Sequence, residues 1–488
     1  MPAFDGFRRP PGGTPARAVL ALTLVAAAAL GACSTSQPPV AATFGSTSTG
    51  QAKPDWTRAA PVADATAWWR QLQDATLRGW IETALQDNAE VRQAAARTAA
   101  LRQAETATQS RVLPQAQVQV AASQTETGLP ETIKRAGQPD NRVVRGTVDL
   151  AWELDFFGAA RAAGRAAQAE AAAAAHQQQA AAQLVAAEVT RQALLWQAAH
   201  QRHAWLQALL AEQEQQFALQ KLRHAQGLIS AAEQARLEAD LADTRSQAQA
   251  AWPQVEAARA RLNTLLHRPL GAPALATEAP SGAALPVLPG LRGRPSLEVL
   301  RQRPDVRAAE AQLQAEGARW DETRAQLWPR ILLGASLGAQ DLRLNALDLA
   351  PSVYRNVVAA FTLPVFNSGR LRAQRDAQGA RTAAAQLQWE KTMLTAVEEV
   401  EASLALQAQQ RERARQTEQA LALRLKQHEA VQALGREGLV DGVVLRDSRR
   451  AVLAARLQHL EAQTQSALAD LQLLRAIGGE GTSATTAP

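Results

Sequence analysis

The stretch T-V-D-L-A-W-E-L-D-F-F-G at 147–158 is a strand pattern that runs into a glycine, and its plan is written twice in the chain. The second copy reads V-A-A-F-T-L-P-V-F-N-S-G-R-L-R at 358–372. Each copy follows a matching approach, S-R-V-L-P-Q-A-Q-V-Q-V at 110–120 and A-Q-L-W-P-R-I-L-L-G-A at 325–335. Each then leads into a long alanine-rich helical pattern. The spacing is strict: Gly158 and Gly369 share an offset of 211, as do Gly227 and Gly438, so both halves space their two glycines identically. Upstream, Val91-Arg92 and Val306-Arg307 share an offset of 215, and so do Pro114 and Pro329. A repeat of this kind is one structural unit used twice.

Between the helical patterns the period drops to two, the signature of a strand with unlike faces. Gln115, Gln117 and Gln119 alternate with Ala116, Val118 and Val120. Arg145, Thr147, Asp149, Glu153 and Asp155 alternate with Val144, Val148, Leu150, Trp152 and Leu154. The second half offers Ile331, Leu333, Ala335 and Leu337 against Gly334, Ser336, Gly338 and Gln340, and then a weaker alternation around Val357, Ala359, Phe361 and Leu363. The spacing predicts four strands, at 113–123, 143–155, 329–340 and 354–366. Each is long enough to cross a bilayer obliquely.

No proline interrupts the chain from Gly158 to Gly227 or from Gly369 to Gly438. About 65 helical residues would extend about 100 Å at 1.5 Å each, so these segments read as rods. G-L-I-S at 227–230 and G-L-V-D at 438–441 break both rods with cap-type residues, as in a helical hairpin. Return helices follow to about Leu266 and Ile477, the first with a kink expected at Pro253. Composition agrees: 47% of residues are hydrophobic but only 4% aromatic, which suits closely packed alanine-rich helices. The 52 basic and 46 acidic residues are interleaved along them, describing a solvated helix face and no nucleic-acid partner.

The N-terminus reads as a targeting segment. Arg8, Arg9 and Arg17 precede the apolar run 18–30, too short for a membrane span, and the run ends in L-G-A-C at 30–33. Small residues before Cys33 resemble a bacterial lipobox, implying a covalent lipid on Cys33 and no other cofactor. Ser34 after it implies export to the outer membrane in Gram-negative lipoproteins. Cys33 is the sole cysteine, so no disulfide forms within the chain. The organisation is then signal peptide 1–32, anchored tether 33–65, first repeat 66–267, linker 268–298, second repeat 299–478 and a polar tail 479–488.

Four strands with an apolar outer face cannot close alone, because a small closed barrel needs about eight strands and an open edge in lipid leaves backbone groups unsatisfied. The chain must therefore associate with copies of itself. The strings W-E-L-D-F-F-G at 152–158, R-P-D-V-R-A-A-E at 303–310 and L-P-V-F-N-S-G-R-L at 363–371 resemble signature segments of the outer-membrane efflux proteins, the TolC-like channels, in their lipoprotein branch. The resemblance covers almost all of 66–478. It implies a mixed fold, a membrane β-barrel continued by a long α-helical barrel. Three internally duplicated protomers would each give four strands to a 12-stranded barrel and long hairpins to a periplasmic tunnel. It also implies a function, the passive exit duct of a tripartite pump that carries drugs or other small toxic compounds. The implied partners are an inner-membrane pump of the resistance-nodulation-division class, a periplasmic adaptor and outer-membrane lipid.

The resemblance places a carboxylate ring at the hairpin tip. Asp447, nine residues after Gly438, matches the ring position, with Asp441 a second candidate and Glu233 standing where the first hairpin usually has aspartate. Arg446 departs from the apolar residue usual beside the ring; it could pair with Asp447 or with its symmetry mate and weaken the anion barrier. Asp149, Glu153 and Asp155 are candidates to line the lumen, and Gly158 and Gly369 mark the strand–helix junctions. Trp68-Trp69 resembles the start of the N-terminal helix. Seven scattered histidines and the absence of an H-E-x-x-H or Gly-rich phosphate motif leave nothing that composes an enzyme site. Two alternatives remain at this level: the duct of a type I protein-secretion system, and a lipid-anchored periplasmic coiled-coil scaffold.

Overall fold

The computed structural model describes residues 68–126, 141–268, 297–344 and 352–478, with a few isolated residues between them. Cys33, the signal peptide, the tether, most of the linker and the tail lie outside the described residues. A single-turn 3-10 helix at Trp68–Gln71 leads to α1 (Ala75–Asp87) and α2 (Ala89–Gln109), followed by β1 (Gln115–Thr125) and β2 (Asn141–Leu154). The first hairpin is α3 (Ala159–Ala225) and α4 (Ala231–Leu265). The second half runs α5 (Leu297–Arg301), α6 (Pro304–Ala325), β3 (Arg330–Leu344), β4 (Leu347–Asp348) and β5 (Ser352–Thr362), then α7 (Arg370–Arg436) and α8 (Gly442–Ala476). Every end of α3 and α4 recurs in α7 and α8 at the offset of the glycines. The long helices therefore match at 67 residues each, and the return helices at 35 residues each.

Backbone chemistry at the ends explains this match. Gly158 and Gly369 adopt left-handed φ values of 80° and 82° as the chain turns from strand into rod. At the far ends Gly227 and Gly438, φ 73° and 75°, close Schellman-type turns. The Leu228 N–H donates to the Arg223 carbonyl at 2.9 Å and the Leu439 N–H to the Leu434 carbonyl at 2.9 Å. Shortly after, Ser230 and Asp441 cap the return helices with their side-chain oxygens. The four glycines are therefore punctuation in a backbone conformation that a β-carbon would strain.

The rods hold together as coiled coils. Along α4 the buried positions are Leu241, Thr244, Ala248, Ala251, Val255, Ala258, Leu262 and Leu265, alternating steps of three and four. That is a heptad seam, and it packs on α3. The matching stripe on α3 runs Leu206, Leu209, Gln213, Gln216 and Gln220, so the seam turns polar towards the hairpin turn. Pro253, where a kink is expected, lies inside the continuous α4 helix. Midway along the rods lies the main apolar core. Trp68, Leu72, Leu77 and Ile81 pack there with Val185, Val189 and Leu194 of α3, Leu262 of α4 and Leu473 and Ile477 at the end of α8. Each such side chain contributes about 1.5–3 kcal/mol when fully buried, so the N-terminal helices fasten the hairpins into one unit.

A polar clasp binds the same region twice. Asn88 caps α2, accepting from the Glu90 N–H at 2.9 Å, and its Nδ2 donates to the Leu265 carbonyl at the end of α4 at 3.1 Å. Its counterpart in the second repeat, Arg303, stands before α6 and donates to the Ala476 carbonyl at the end of α8. The Arg303 guanidinium also pairs with Asp305 at 2.7 Å and Glu399 at 2.8 Å. One position thus does one task in each repeat, through an amide in the first and a guanidinium in the second.

The strands form one antiparallel sheet in the order β1-β2-β3-β5, with the two-residue β4 folded onto the end of β3. The four main strands have 11, 14, 15 and 11 residues, and β4 is an addition to the four expected. β5 ends at Thr362, so Leu363–Phe366 are not strand as the alternation suggested; Pro364 cannot donate to a ladder. Register aligns the faces: Val118 opposes Val148, Val148 opposes Leu337, and Ala335 opposes Val357. Val118 and Val357 are 76% and 82% exposed in the single chain, so an apolar sheet face stands uncovered. No described helix is long and apolar enough to cross a membrane.

Candidate functional site

Two regions gather the candidate residues, the hairpin tip and the polar face of the sheet. At the tip Leu228 and Leu439 are each 67% exposed, at equivalent positions of the two turns. Asp441 caps α8 through the Val443 N–H, and its two carboxylate oxygens each lie 3.4 Å from the Arg223 guanidinium of the first hairpin. Arg223 first, and the backbone N–H after it, hold the Asp441 carboxyl below its ordinary pKa. Further up, Arg450 pairs with Asp240 at 3.2 Å and Arg449 with Glu212 at 2.8 Å, so ion pairs join α8 to both helices of the first hairpin. Exposed pairs like these contribute about 0–1 kcal/mol each; they fix alignment more than stability.

Asp447 is exposed on α8 and has no ionic partner among the described residues. Within the chain Arg446 does not pair with it, which leaves only the symmetry mate of the two partners considered. Its guanidinium folds back against Gly442, and its Nε is buried without a hydrogen-bond partner. Glu233 is exposed in the first turn of α4, where its N–H caps on Ser230. Arg236 holds the position of the first hairpin that corresponds to Asp447, so a cation stands there where the second hairpin carries the carboxylate.

On the sheet, three sequence candidates separate into three environments. Asp149 lies on the polar face and accepts from the Thr147 hydroxyl at 2.9 Å. Glu153 is neutralised by Arg330, the first residue of β3, through two contacts of 2.8 and 2.5 Å. Asp155 is not on the strand face at all, because β2 ends at Leu154. Its carboxylate turns to cap α3, accepting from the N–H groups of Ala160 at 3.1 Å and Arg161 at 2.9 Å. Burial pushes the Asp155 carboxyl up, but the two N–H groups and the Arg161 guanidinium outweigh it and hold the pKa low. Arg330 as a partner was not visible in the sequence, since only the register of β2 against β3 brings it to Glu153. Around this junction Phe157 stacks on Trp328 at 5.4 Å, and Phe156 and Phe366 are exposed. Aromatic rings there suit a boundary between apolar and aqueous surroundings.

A sheet with one apolar and one polar face, continued by paired coiled-coil rods, is the geometry of a wall segment. The description "Outer membrane efflux protein" matches residues 80–267 and 297–479, more than half of the chain. The chain belongs to the outer membrane efflux protein family. It is 29% identical over 475 residues to the outer membrane protein OprJ of Pseudomonas aeruginosa, covering 93% of this chain and 95% of that one. It is 28% identical over 393 residues to the pyoverdine export outer membrane protein OpmQ of the same species, covering 78% and 80%. The toluene efflux pump outer membrane protein TtgF of Pseudomonas putida is 26% identical over 433 residues, covering 88% of each chain. Among solved structures, the outer-membrane channel OprN superposes with a TM-score of 0.74 at 26% identity, covering 89% of this chain and 98% of that one. The efflux protein fold therefore accounts for both the sheet and the rods, and the expected TolC-like architecture of the protomer is observed.

Proposed function

We propose that three copies of this chain form the exit duct of a tripartite efflux pump, a 12-stranded barrel in the outer membrane above a periplasmic helical tunnel. The observation that carries this reading is the sheet itself. Its outer edges, on β1 and β5, pair with no other strand among the described residues, while its apolar face is exposed. Backbone groups on such edges are intolerable in lipid, and pairing of β5 with β1 of a neighbour satisfies them. Three copies of four long strands give the 12 staves. A lipid on Cys33 would tether the assembly to the outer membrane. An adaptor and a resistance-nodulation-division pump would supply cargo and energy, and the cargo class is small toxic or amphiphilic molecules. The scaffold alternative leaves the sheet without a purpose, and nothing in the geometry favours a secreted protein over a small molecule.

Deleting the gene tests this reading. Susceptibility to hydrophobic and amphiphilic toxins should rise at least severalfold while the outer membrane stays intact, and complementation should restore it. Unchanged susceptibility in a strain that expresses the protein would remove efflux as its function.

We also propose that Asp447 narrows the tunnel at the tip. Three copies of one exposed carboxylate near an axis repel each other and disfavour anions. Asp447→Ala should raise single-channel conductance in planar bilayers and weaken cation preference. A variant indistinguishable from the parent would place Asp447 on an ordinary solvated helix face.

A further inference from the structure

The register of the sheet sorts the charges of its polar face into rows. Nearest the strand–helix junction is the neutral pair Glu153–Arg330. Above it comes the uncharged row Gln115, Ala151, Gly334 and Val358, and then Gln117, Asp149, Ser336 and Asn356. The next row is Gln119, Thr147, Gly338 and Tyr354, and above that stand Ala121, Arg145, Gln340 and Ser352. Arg145 is the outermost charged residue on this face of the described strands. No carboxylate shares its row. Asp149 is four residues away along β2, about 13 Å, and Asp341 opposes Val144 on the other face.

Arg145 is also held in place. Its guanidinium lies over the ring of Tyr354, 5.5 Å from the centroid, and donates to Gln340 Oε1 at 3.2 Å. The ring lies against Gly338, where a β-carbon would come within 2.9 Å of Tyr354 Cζ and 2.8 Å of Thr147 Cγ2. Gly338 thus makes the slot, Tyr354 fills it, and Arg145 rests on the ring with its charge exposed. Cation–π contact and one neutral hydrogen bond orient a guanidinium without neutralising it. Tyr354 is the only tyrosine in the chain.

We propose that Arg145 is the anion-selecting residue of the outer mouth of the duct, attracting small anionic solutes where the barrel opens away from the tunnel. The proposal rests on the duct reading above. In a closed barrel each copy adds one such cation to the same level. A ring of fixed charge with low-dielectric walls then raises the local concentration of counter-ions. The ring would act at the opposite end of the duct from Asp447 and with the opposite sign.

Purified protein is added to one chamber of a planar bilayer, and the pores tested are those that enter barrel end first, with the helices on that side and the mouth facing the other chamber. Inorganic tripolyphosphate placed in that second chamber should reduce the current of the wild-type pore. Arg145→Gln should need about tenfold more for the same reduction, equivalent to about 1.4 kcal/mol. Arg145→Lys should retain most of the sensitivity, and Tyr354→Leu should lose part of it. Equal sensitivity of wild type and Arg145→Gln in conducting pores would overturn the proposal. Absence of any pore in the wild-type protein would instead sink the duct reading, and this inference with it.

Discussion

Gly338→Val should cost the sheet more than any other single change on its polar face. A β-carbon at this position would meet the Gly146 carbonyl oxygen at 2.8 Å, besides the Thr147 and Tyr354 side chains. The first of these is backbone of the neighbouring strand and cannot rotate aside, so β2 and β3 must part locally or Tyr354 must leave its slot. Overpacking of this kind typically costs about 1–3 kcal/mol, and valine adds two more methyl groups to the clash. The expected result is a lower melting temperature in detergent and a smaller yield of assembled protein. Gly146→Ala is the control, since nothing lies within 4 Å of a β-carbon built there. It should leave melting unchanged or raise it slightly, because glycine is a weak strand residue. Equal melting of the two variants would mean that the close approach at Gly338 is absent in the assembled wall.

Arg303→Ala is the second large effect. The side chain is 8% exposed and serves Asp305, Glu399 and the terminal carbonyl of α8 together. Its removal leaves two carboxylates facing each other and a carbonyl without its donor. Breaking a fully buried pair costs about 3–5 kcal/mol. Asp305 and Glu399 are 44% and 42% exposed, so water relieves part of this and about 2–3 kcal/mol is expected. Asn88→Ala in the first repeat breaks a neutral amide clasp and should cost less, about 1–2 kcal/mol. Urea unfolding of the detergent-solubilised protein measures both. The order reversed would mean that the guanidinium is not the stronger clasp.

The same site gives a pH signature. Burial raises the Asp305 pKa, but hydrogen bonds and charge from Arg303 outweigh it, so the folded value falls below the ordinary 3.8. A carboxyl depressed in the fold stabilises it above the unfolded pKa and loses that contribution as pH falls through the folded value. Wild-type stability should therefore drop below about pH 4, and Arg303→Ala should show a shallower drop across that range.

What the sequence disclosed depended on how locally each feature is encoded. Rod length was readable because helix ends are set by neighbouring residues: the Gly227 and Gly438 turns, their caps and the proline-free stretches lie within a few positions of one another. Strand faces were readable from the alternation at Gln115–Val120 and Val144–Leu154. Asp155 shows the limit of that rule. Parity places it with Asp149 and Glu153, but the backbone has already turned towards α3, and two N–H groups claim its carboxylate. Arg330 and Tyr354 were beyond reach for a different reason. Each belongs to the second repeat and meets its partner on β2 of the first, and only strand register decides that meeting. Arg303 stands out in the string R-P-D-V-R, whereas its clasp to α8 and its correspondence with Asn88 emerge only from the packed helices. Asp447 and Arg446 lie in the second turn of α8, where helical spacing gives the face each occupies but not what its side chain meets.

The identical 67-residue rods carry a consequence for how such a chain can vary. Inserting one residue in α3 alone would lift its turn by about 1.5 Å and swing it by about 100°, while the turn of α7 stayed where it was. Leu228 and Leu439 would no longer share a level, and the contact between Arg223 and Asp441 would be lost. A viable insertion or deletion must therefore be mirrored in the other half, and within each half in the helix that returns. Substitutions can accumulate at the solvent-facing positions of these rods, but their length can change only by coordinated steps in four helices at once.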